Sequence, residues 1–141
     1  MKKFCIALIL TIPLLAHSAD LKSKEDVVGF VKTTQTLVAS GDVIKAIEGL
    51  KPYVIIPESE FQVALEQYKM QKPMIDQRFG KTIGTELISV QEQGESLMLA
   101  TFIQKFEKHV MRWRLYFYKP RDKWILNTYS TDDKINEILA K

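Results

Sequence analysis

The sequence is poor in the residues that carry covalent and metal chemistry. It has one cysteine, Cys5, and two histidines, His17 and His109. Glycine and proline are also scarce, with 6 and 5 residues, and the chain contains no internal repeat or low-complexity stretch. With 46% hydrophobic and 26% charged residues, the composition excludes a disordered tail or a fibrous scaffold. A length of 141 residues predicts one globular domain.

The N-terminus has the pattern of a secretory signal peptide. Lys2 and Lys3 precede an apolar run from residue 4 to residue 16, and Ser18 and Ala19 offer small residues to a signal peptidase. The run is shorter than the ~20 apolar residues of a membrane-spanning helix, and no later stretch is long enough. We therefore expect a cleaved signal over residues 1–19, with an uncleaved anchor as the alternative. The mature single domain, residues 20–141, is expected to be periplasmic or secreted, with no membrane span.

Cleavage of this signal would change the chemistry of the chain. Cys5 and His17 would be lost, so no disulfide could form and the apolar core alone would hold the domain. With His109 as the only histidine and no acid pair at ligand spacing, we predict no metal and no cofactor. His109 is expected in a solvated hairpin rather than in a catalytic triad. Loss of Lys2 and Lys3 lowers the net charge from +3 to +1, which gives no electrostatic case for nucleic acid.

The first half of the mature chain has helical patterns. Ser23 and Asp26 form a capping-box pattern, and apolar residues follow at helical spacing as far as Val38. Gly41 is expected to end this first helix.

Two further helices are predicted before the sheet. Asp42 is expected to cap a second helix that ends at Pro52. A third helix is predicted to begin at Pro57 and to end at Gly80, with Pro73 kinking or splitting it. The β-branched residues 53–56 between these helices are either an edge strand or a buried extended link.

The second half of the chain has the two-residue period of strands. Strands are predicted over residues 86–93, 96–107, 110–119 and 124–130, with a hairpin turn at Gly94-Glu95 and a last helical turn around Ile135–Leu139. The gaps between strands are too short for a parallel sheet. The sequence therefore predicts an α+β fold, with N-terminal helices packed on a bent antiparallel four-stranded meander and a short C-terminal helix.

Several short motifs also carry a family resemblance. They are Ser40-Gly41-Asp42, Ala46, Leu50-Lys51-Pro52, Phe79-Gly80 and Asp122-Lys123-Trp124-Ile125-Leu126. With the order of elements, they resemble the cystatin-like cone of the NTF2-like superfamily, in particular its small secreted members without an assigned function. The resemblance covers about residues 24–130 and implies helices packed into the concave face of a bent sheet. It implies no single activity, because that superfamily includes enzymes, ligand carriers and dimerisation modules.

Alternation along the third predicted strand separates two candidate surfaces. One face is apolar and is expected under the helices, as a ligand pocket or as a filled core. Its residues are Met111, Trp113, Leu115 and Phe117, with Trp124 nearby. The other face is a candidate anion site or dimer interface, or else a solvated face whose arginines pair with acids on the next strand. Its residues are Arg112, Arg114, Tyr116 and Tyr118.

No catalytic residue is indicated by these patterns. Gly80-Lys81-Thr82 resembles the end of a phosphate-binding loop, but we interpret it as a helix stop. The sequence favours a non-enzymatic module that binds a small apolar ligand or a protein partner and forms a homodimer through its sheet. The alternatives are an isomerase- or hydratase-like enzyme with Asp76 or Glu86 as its base, and a structural protein of an envelope assembly.

Overall fold

The structure of the protein is a computed structural model that describes residues 20–140. The predicted signal peptide and Cys5 lie outside the described residues. The elements, in chain order, are α1 (Lys24–Ala39), α2 (Val43–Leu50), α3 (Glu58–Phe79), β1 (Thr82–Gln93), β2 (Leu97–Phe106), β3 (Val110–Tyr118), β4 (Ile125–Asp132) and α4 (Ile135–Leu139). The predicted α+β fold is confirmed, with N-terminal helices packed on a four-stranded antiparallel meander and a short C-terminal helix.

The four strands are neighbours in chain order, β1-β2-β3-β4. Gly94 has a φ of +62° in the turn between β1 and β2, a conformation that glycine adopts without strain. Along β1, the register shifts at Ile83 and at Ile88, which are left out of the pairing with β2. At the opposite edge, Val54 forms a single parallel bridge to Leu126 of β4, so the 53–56 segment is an extended link with one bridge.

Local chemistry explains how α1 begins and ends. The backbone N–H of Asp26 donates a 3.0 Å hydrogen bond to Oγ of Ser23, and the backbone N–H of Ser23 donates a 2.9 Å bond to Oδ2 of Asp26. This reciprocal pair is the predicted capping box. Gly41 follows the helix with a φ of +85°, as expected of a residue that ends a helix.

The predicted side-chain cap of α2 is wrong, and so is one of the two outcomes predicted at Pro73, a split helix. Asp42 stands at the N-cap of α2, but its side chain makes no capping hydrogen bond. Its ψ of 50° is not the extended backbone of a normal cap, and its carboxylate lies 3.6 Å from Nζ of Lys45 instead. Pro73 does not split α3, which is assigned as one helix of 22 residues. Pro73 and Lys69 are exposed, so water can reach the carbonyl that the proline leaves without a donor.

The core lies between α1–α3 and the sheet face that those helices cover. The helices bury Val27, Val31, Val38, Ala46, Ile47, Leu50, Phe61, Leu65 and Tyr68 in it, and the sheet buries Met98, Ala100, Phe102, Trp113, Leu115, Phe117 and Leu126. A smaller cluster of Phe79, Phe106 and Met111 closes one end. The sheet therefore has an inner face, which meets these helices, and an outer face, which points away from them.

Candidate functional site

The apolar residues of β3 form the inner face of the sheet. Met111 is 7% exposed and Trp113 is fully buried. Leu115, Phe117 and Trp124 are also buried. The Trp113 ring stacks on Phe102, with centroids 5.5 Å apart. These side chains pack against α1–α3, which corresponds to the filled-core alternative for this face.

A groove of about 460 Å³ lies on the outer face of the sheet, near the β1–β2 turn. Its lining residues are Gln91, Gln93, Leu97, Met98, Leu99, Tyr116, Phe117, Tyr118, Asn127 and Thr128. None of these ten residues carries a charge at neutral pH. Although hydrophobic, Leu97 is 50% exposed and Tyr118 is 39% exposed at its surface. The groove is therefore an open, uncharged and largely apolar surface.

The pairing register of the strands brings together the residues that line this groove. Leu97 stands opposite Tyr118, and Leu99 stands opposite Tyr116, so two leucines and two tyrosines form a block across β2 and β3. On the β1 side, Gln91 stands opposite Leu99 and adds an amide side chain to the rim. Side chains two residues apart point to the same side of a strand, so these residues share the outer face. The predicted Tyr116 and Tyr118 thus belong to the groove.

The two arginines of β3 lie farther along the same face. The carboxylate of Asp132 accepts hydrogen bonds of 2.9 Å from Nη2 of Arg112 and 3.1 Å from Nη2 of Arg114. Nη2 of Arg112 also donates a 2.6 Å bond to Glu137 of α4. Two guanidinium groups and two carboxylates neutralise one another here. The arginines therefore pair with acids, as the solvated-face alternative expected, and leave no net positive charge for an anion.

The burial of Arg112 differs from the expectation of a solvated outer face. Arg112 is only 5% exposed, because α4 folds over its end of the sheet. Burial raises the pKa of Asp132, but hydrogen bonds from Arg112 and from the backbone of Lys134 outweigh it and hold that pKa below its ordinary value. The hydrogen bond from Arg112 also lowers the pKa of Glu137. This charged cluster fastens α4 to the sheet.

His109 also departs from its prediction. Its side chain is 29% exposed rather than free in solvent, and its ring packs edge-on against Phe79 with centroids 4.5 Å apart. Nε2 lies 3.6 Å from the carboxylate of Asp133. His109 therefore joins the β3 hairpin to the ends of α3 and β4.

A second cavity, of about 420 Å³, opens between α3 and the start of β1. Tyr68, Lys72 and Asp76 line it from α3, with Gln104 on the sheet side. Burial, with a smaller effect from Asp76, raises the pKa of Tyr68 to about 12. The Asp76 carboxylate is 52% exposed and lies 2.5 Å from Nζ of Lys72.

The other candidate base, Glu86, is placed elsewhere. Its carboxylate is 60% exposed and lies 3.8 Å from Nζ of Lys105. Gly80, which begins the phosphate-loop-like triplet, has a φ of +83° and ends α3, and β1 begins at Thr82. That triplet is a helix stop, as interpreted from the sequence.

Two surfaces were not singled out from the sequence. Leu97 and Leu99 complete the groove, and only the register of β2 against β3 shows that they face Tyr116 and Tyr118. On α3, the exposed residues Val63, Met70 and Met74 form a second apolar stripe opposite the buried one. Their spacing of seven and four residues is a detectable signal, but the buried face of the same helix accounts for the pattern first.

Within residues 20–140, no helix has the length and hydrophobicity needed to cross a membrane. In the same part of the chain, no three acidic, histidine or cysteine side chains lie close enough to hold a metal ion. The chain matches no family model, no curated protein and no solved structure.

Proposed function

We propose that the protein is an extracytoplasmic, non-enzymatic binding module that holds a small neutral apolar molecule in the outer groove. The observation that carries the proposal is the uncharged lining of an open 460 Å³ groove formed around Leu97, Leu99, Tyr116 and Tyr118. This volume falls within the range of small-molecule sites, about 300–1,000 Å³. The periplasmic or secreted location rests on the signal-like residues 1–19.

The lining also indicates how a ligand would be oriented. The two leucines and the two tyrosine rings supply apolar contact, while the side-chain amides of Gln91, Gln93 and Asn127 offer hydrogen bonds at the rim. A charged ligand group placed in the groove would lose water without gaining an opposite charge. The proposed ligand is therefore neutral, or its charged end lies outside the groove.

The geometry favours binding over catalysis by a carboxylate base. A base on such a fold needs a carboxylate set apart from water and from neutralising cations. Asp76 and Glu86 are each more than half exposed, and each lies within 4 Å of a lysine Nζ. The outer groove has no carboxylate in its lining.

The order of elements supports a further part of the proposal, a distant relationship to the NTF2-like superfamily. Helices precede a four-stranded antiparallel meander, and the helices cover one face of the sheet. In the proposed arrangement, the space under the helices is filled by core side chains such as Trp113, and ligand binding has moved to the other face. Such a relationship would specify the fold and leave the activity to the site.

A fluorescent titration tests the binding proposal. The neutral probe N-phenyl-1-naphthylamine is titrated into the mature protein and into the double variant Leu97→Asn, Tyr118→Ser, with Ile55→Asn as a matched control at an exposed apolar site between α2 and α3. We expect saturable binding to the wild-type and control proteins, weakened about tenfold or more in the double variant. An unaltered titration in the double variant, or no saturable binding to the wild type, would contradict the proposal.

A further inference from the structure

Helix α3 has a second apolar face that nothing in the described chain covers. Val63 is 68% exposed, Met70 is 75% exposed and Met74 is 65% exposed. With Gln67, they follow a spacing of four, three and four residues, which places them along one stripe of a helix. We call residues 63, 67, 70 and 74 the α3 stripe. It lies opposite the buried residues Phe61, Leu65 and Tyr68.

The two halves of the α3 stripe differ in shape. Two shallow grooves lie beside Val63, one of about 480 Å³ that extends past Glu66 to Met70 and one of about 300 Å³ beside Ala64. The C-terminal half carries two long, exposed methionine side chains, Met70 at the end of the larger groove and Met74 beyond it. Methionine is flexible and fits irregular grooves well.

The two halves also differ in charge. The acidic side chains Glu58, Glu60 and Glu66 lie in the N-terminal half, and the basic side chains Lys69, Lys72 and Arg78 lie in the C-terminal half, where Asp76 is the one acid. The sign changes between residues 66 and 69. The midpoint between Val63 and Met74 falls at the same place, between residues 68 and 69.

We propose that the occupant of the α3 stripe is a second copy of this chain, which forms a homodimer by pairing α3 with α3 in antiparallel orientation. A two-fold axis at the midpoint places the Met70–Met74 half of each helix against the grooved half of the other. Within one chain, Glu58 pairs with Lys51, Glu66 with Lys69 and Lys72 with Asp76, so the charges that this axis matches between the two copies are Glu60 and Arg78. Shape and charge are therefore self-complementary in one register, in which Val63 stands opposite Met74 of the second copy.

One ion pair follows from this register. Glu60 and Arg78 are 18 residues apart, which is five helical turns, so they lie on the same flank of the α3 stripe. The two-fold axis brings Glu60 of one copy near Arg78 of the other, and the pair occurs twice. Both residues are exposed, and within residues 20–140 neither takes part in an ion pair of its own chain. The Arg78 guanidinium also lies 5.6 Å from the ring centroid of Phe79, and both charges remain available for an ion pair with a second copy.

Charge reversal with rescue tests the proposal. Dimer dissociation is measured by sedimentation velocity on the mature protein and on Glu60→Arg, Arg78→Glu and the variant with both changes. Each single change turns two attractive contacts into repulsive ones, and we expect it to weaken the dimer about tenfold or more. The double change restores both pairs and should bring dissociation back to within about threefold of the wild type. A double variant as weak as the single ones would overturn the proposal.

The second test fixes the orientation of the helices. Val63→Cys and Met74→Cys are made separately, in a mature chain that has no other cysteine. We expect an oxidised mixture of the two variants to form disulfide-linked dimers, while each variant alone does not, because like positions in the antiparallel pair are about 16 Å apart along the axis. Cross-linking of Val63→Cys with itself would indicate parallel pairing and overturn the proposal.

A variant of the sheet serves as a control that distinguishes a dimer formed through α3 from one formed through the sheet. The Leu97→Asn, Tyr118→Ser variant alters apolar residues of the outer face, which the helices do not cover. We expect it to dimerise as the wild type does. A monomeric wild-type protein, or a dimer lost in this variant and kept in Met70→Lys, would overturn pairing through α3.

Discussion

The indole N–H of Trp113 donates a 3.2 Å hydrogen bond to the side-chain carbonyl of Gln104, and both residues are at least 99% buried. The amide nitrogen of Gln104 donates in turn, over 2.7 Å, to the hydroxyl of Thr82. One buried amide thus links β3, β2 and β1 beneath the helices. A glutamine in this position is stable because each end of its amide has a partner.

Replacing Trp113, the donor in this series of hydrogen bonds, should lower the stability of the fold. We expect Trp113→Phe to lower the free energy of unfolding by about 2–4 kcal/mol, because Gln104 loses a partner and the smaller ring leaves space in the core. Urea denaturation measures the loss. In a double-mutant cycle with Gln104→Leu, we expect a coupling of about 1 kcal/mol or more, and additive losses would contradict the hydrogen bond.

Arg112 should hold α4 on the sheet. Arg112→Met removes the donor shared by Asp132 and Glu137, and we expect it to lower the free energy of unfolding by about 2 kcal/mol. This is less than the 3–5 kcal/mol typical of a broken buried pair, because Arg114 still bonds to Asp132. The matched control is Lys24→Met, which removes an exposed pair with Glu92 and should cost under about 1 kcal/mol. Equal losses in the two variants would contradict the prediction.

Acid should release α4 before the sheet unfolds. The pKa values of Asp132 and Glu137 lie below their ordinary values of 3.8 and 4.5, so these carboxylates are charged and paired in the folded state. Their contribution to stability is complete above about pH 4.5 and is lost as the pH falls through the lowered values. We expect the protection factors of the amides in residues 135–139, measured by NMR relative to the intrinsic exchange rate at each pH, to fall below pH 4. The fall should be absent in Asp132→Asn, where protection is already low at neutral pH.

Replacement by alanine should change the stability of the fold in opposite directions at Gly80 and at Gly29. Gly80 has a φ of +83°, and a Cβ there would lie 2.5 Å from a carboxylate oxygen of Glu107. We expect Gly80→Ala to destabilise the fold by about 1–3 kcal/mol. Gly29 lies within α1 with open space around it, so Gly29→Ala should stabilise the fold by up to about 1 kcal/mol. Thermal unfolding of the two variants checks both signs, and a shift in the same direction would refute the argument.

Local patterns predicted the elements well where neighbouring residues decide the outcome. Ser23 and Asp26 satisfy each other across three residues, so the start of α1 could be read from the sequence. The start of β1 could not, because the bulge at Ile83 breaks the alternation that reveals a strand. Aspartate is a common capping residue, but the side chain of Asp42 does not cap α2, because the backbone that enters the helix is not extended there.

The candidate site depended on distant parts of the chain, and the sequence was a weaker guide to it. Alternation correctly separated the Trp113 face of β3 from the arginine face. The burial of Arg112 depends on Glu137, 25 residues later, which no local pattern connects to it. The groove likewise depends on pairing across strands, which brings Leu97 beside Tyr118. Such relationships appear only once tertiary packing has been formed.

The two bulges of β1 limit how large an assembly of this protein can grow. Against β2, β1 pairs through residues 84–87 and 89–93, and the unpaired Ile88 between them interrupts the regular strand geometry of this edge strand. An edge interrupted in this way is a poor template for indefinite strand addition, the growth mode of fibrils. At the other edge, the bridge from Val54 occupies part of β4. Both edges of the sheet are thus interrupted, which disfavours edge-to-edge stacking of copies of this protein.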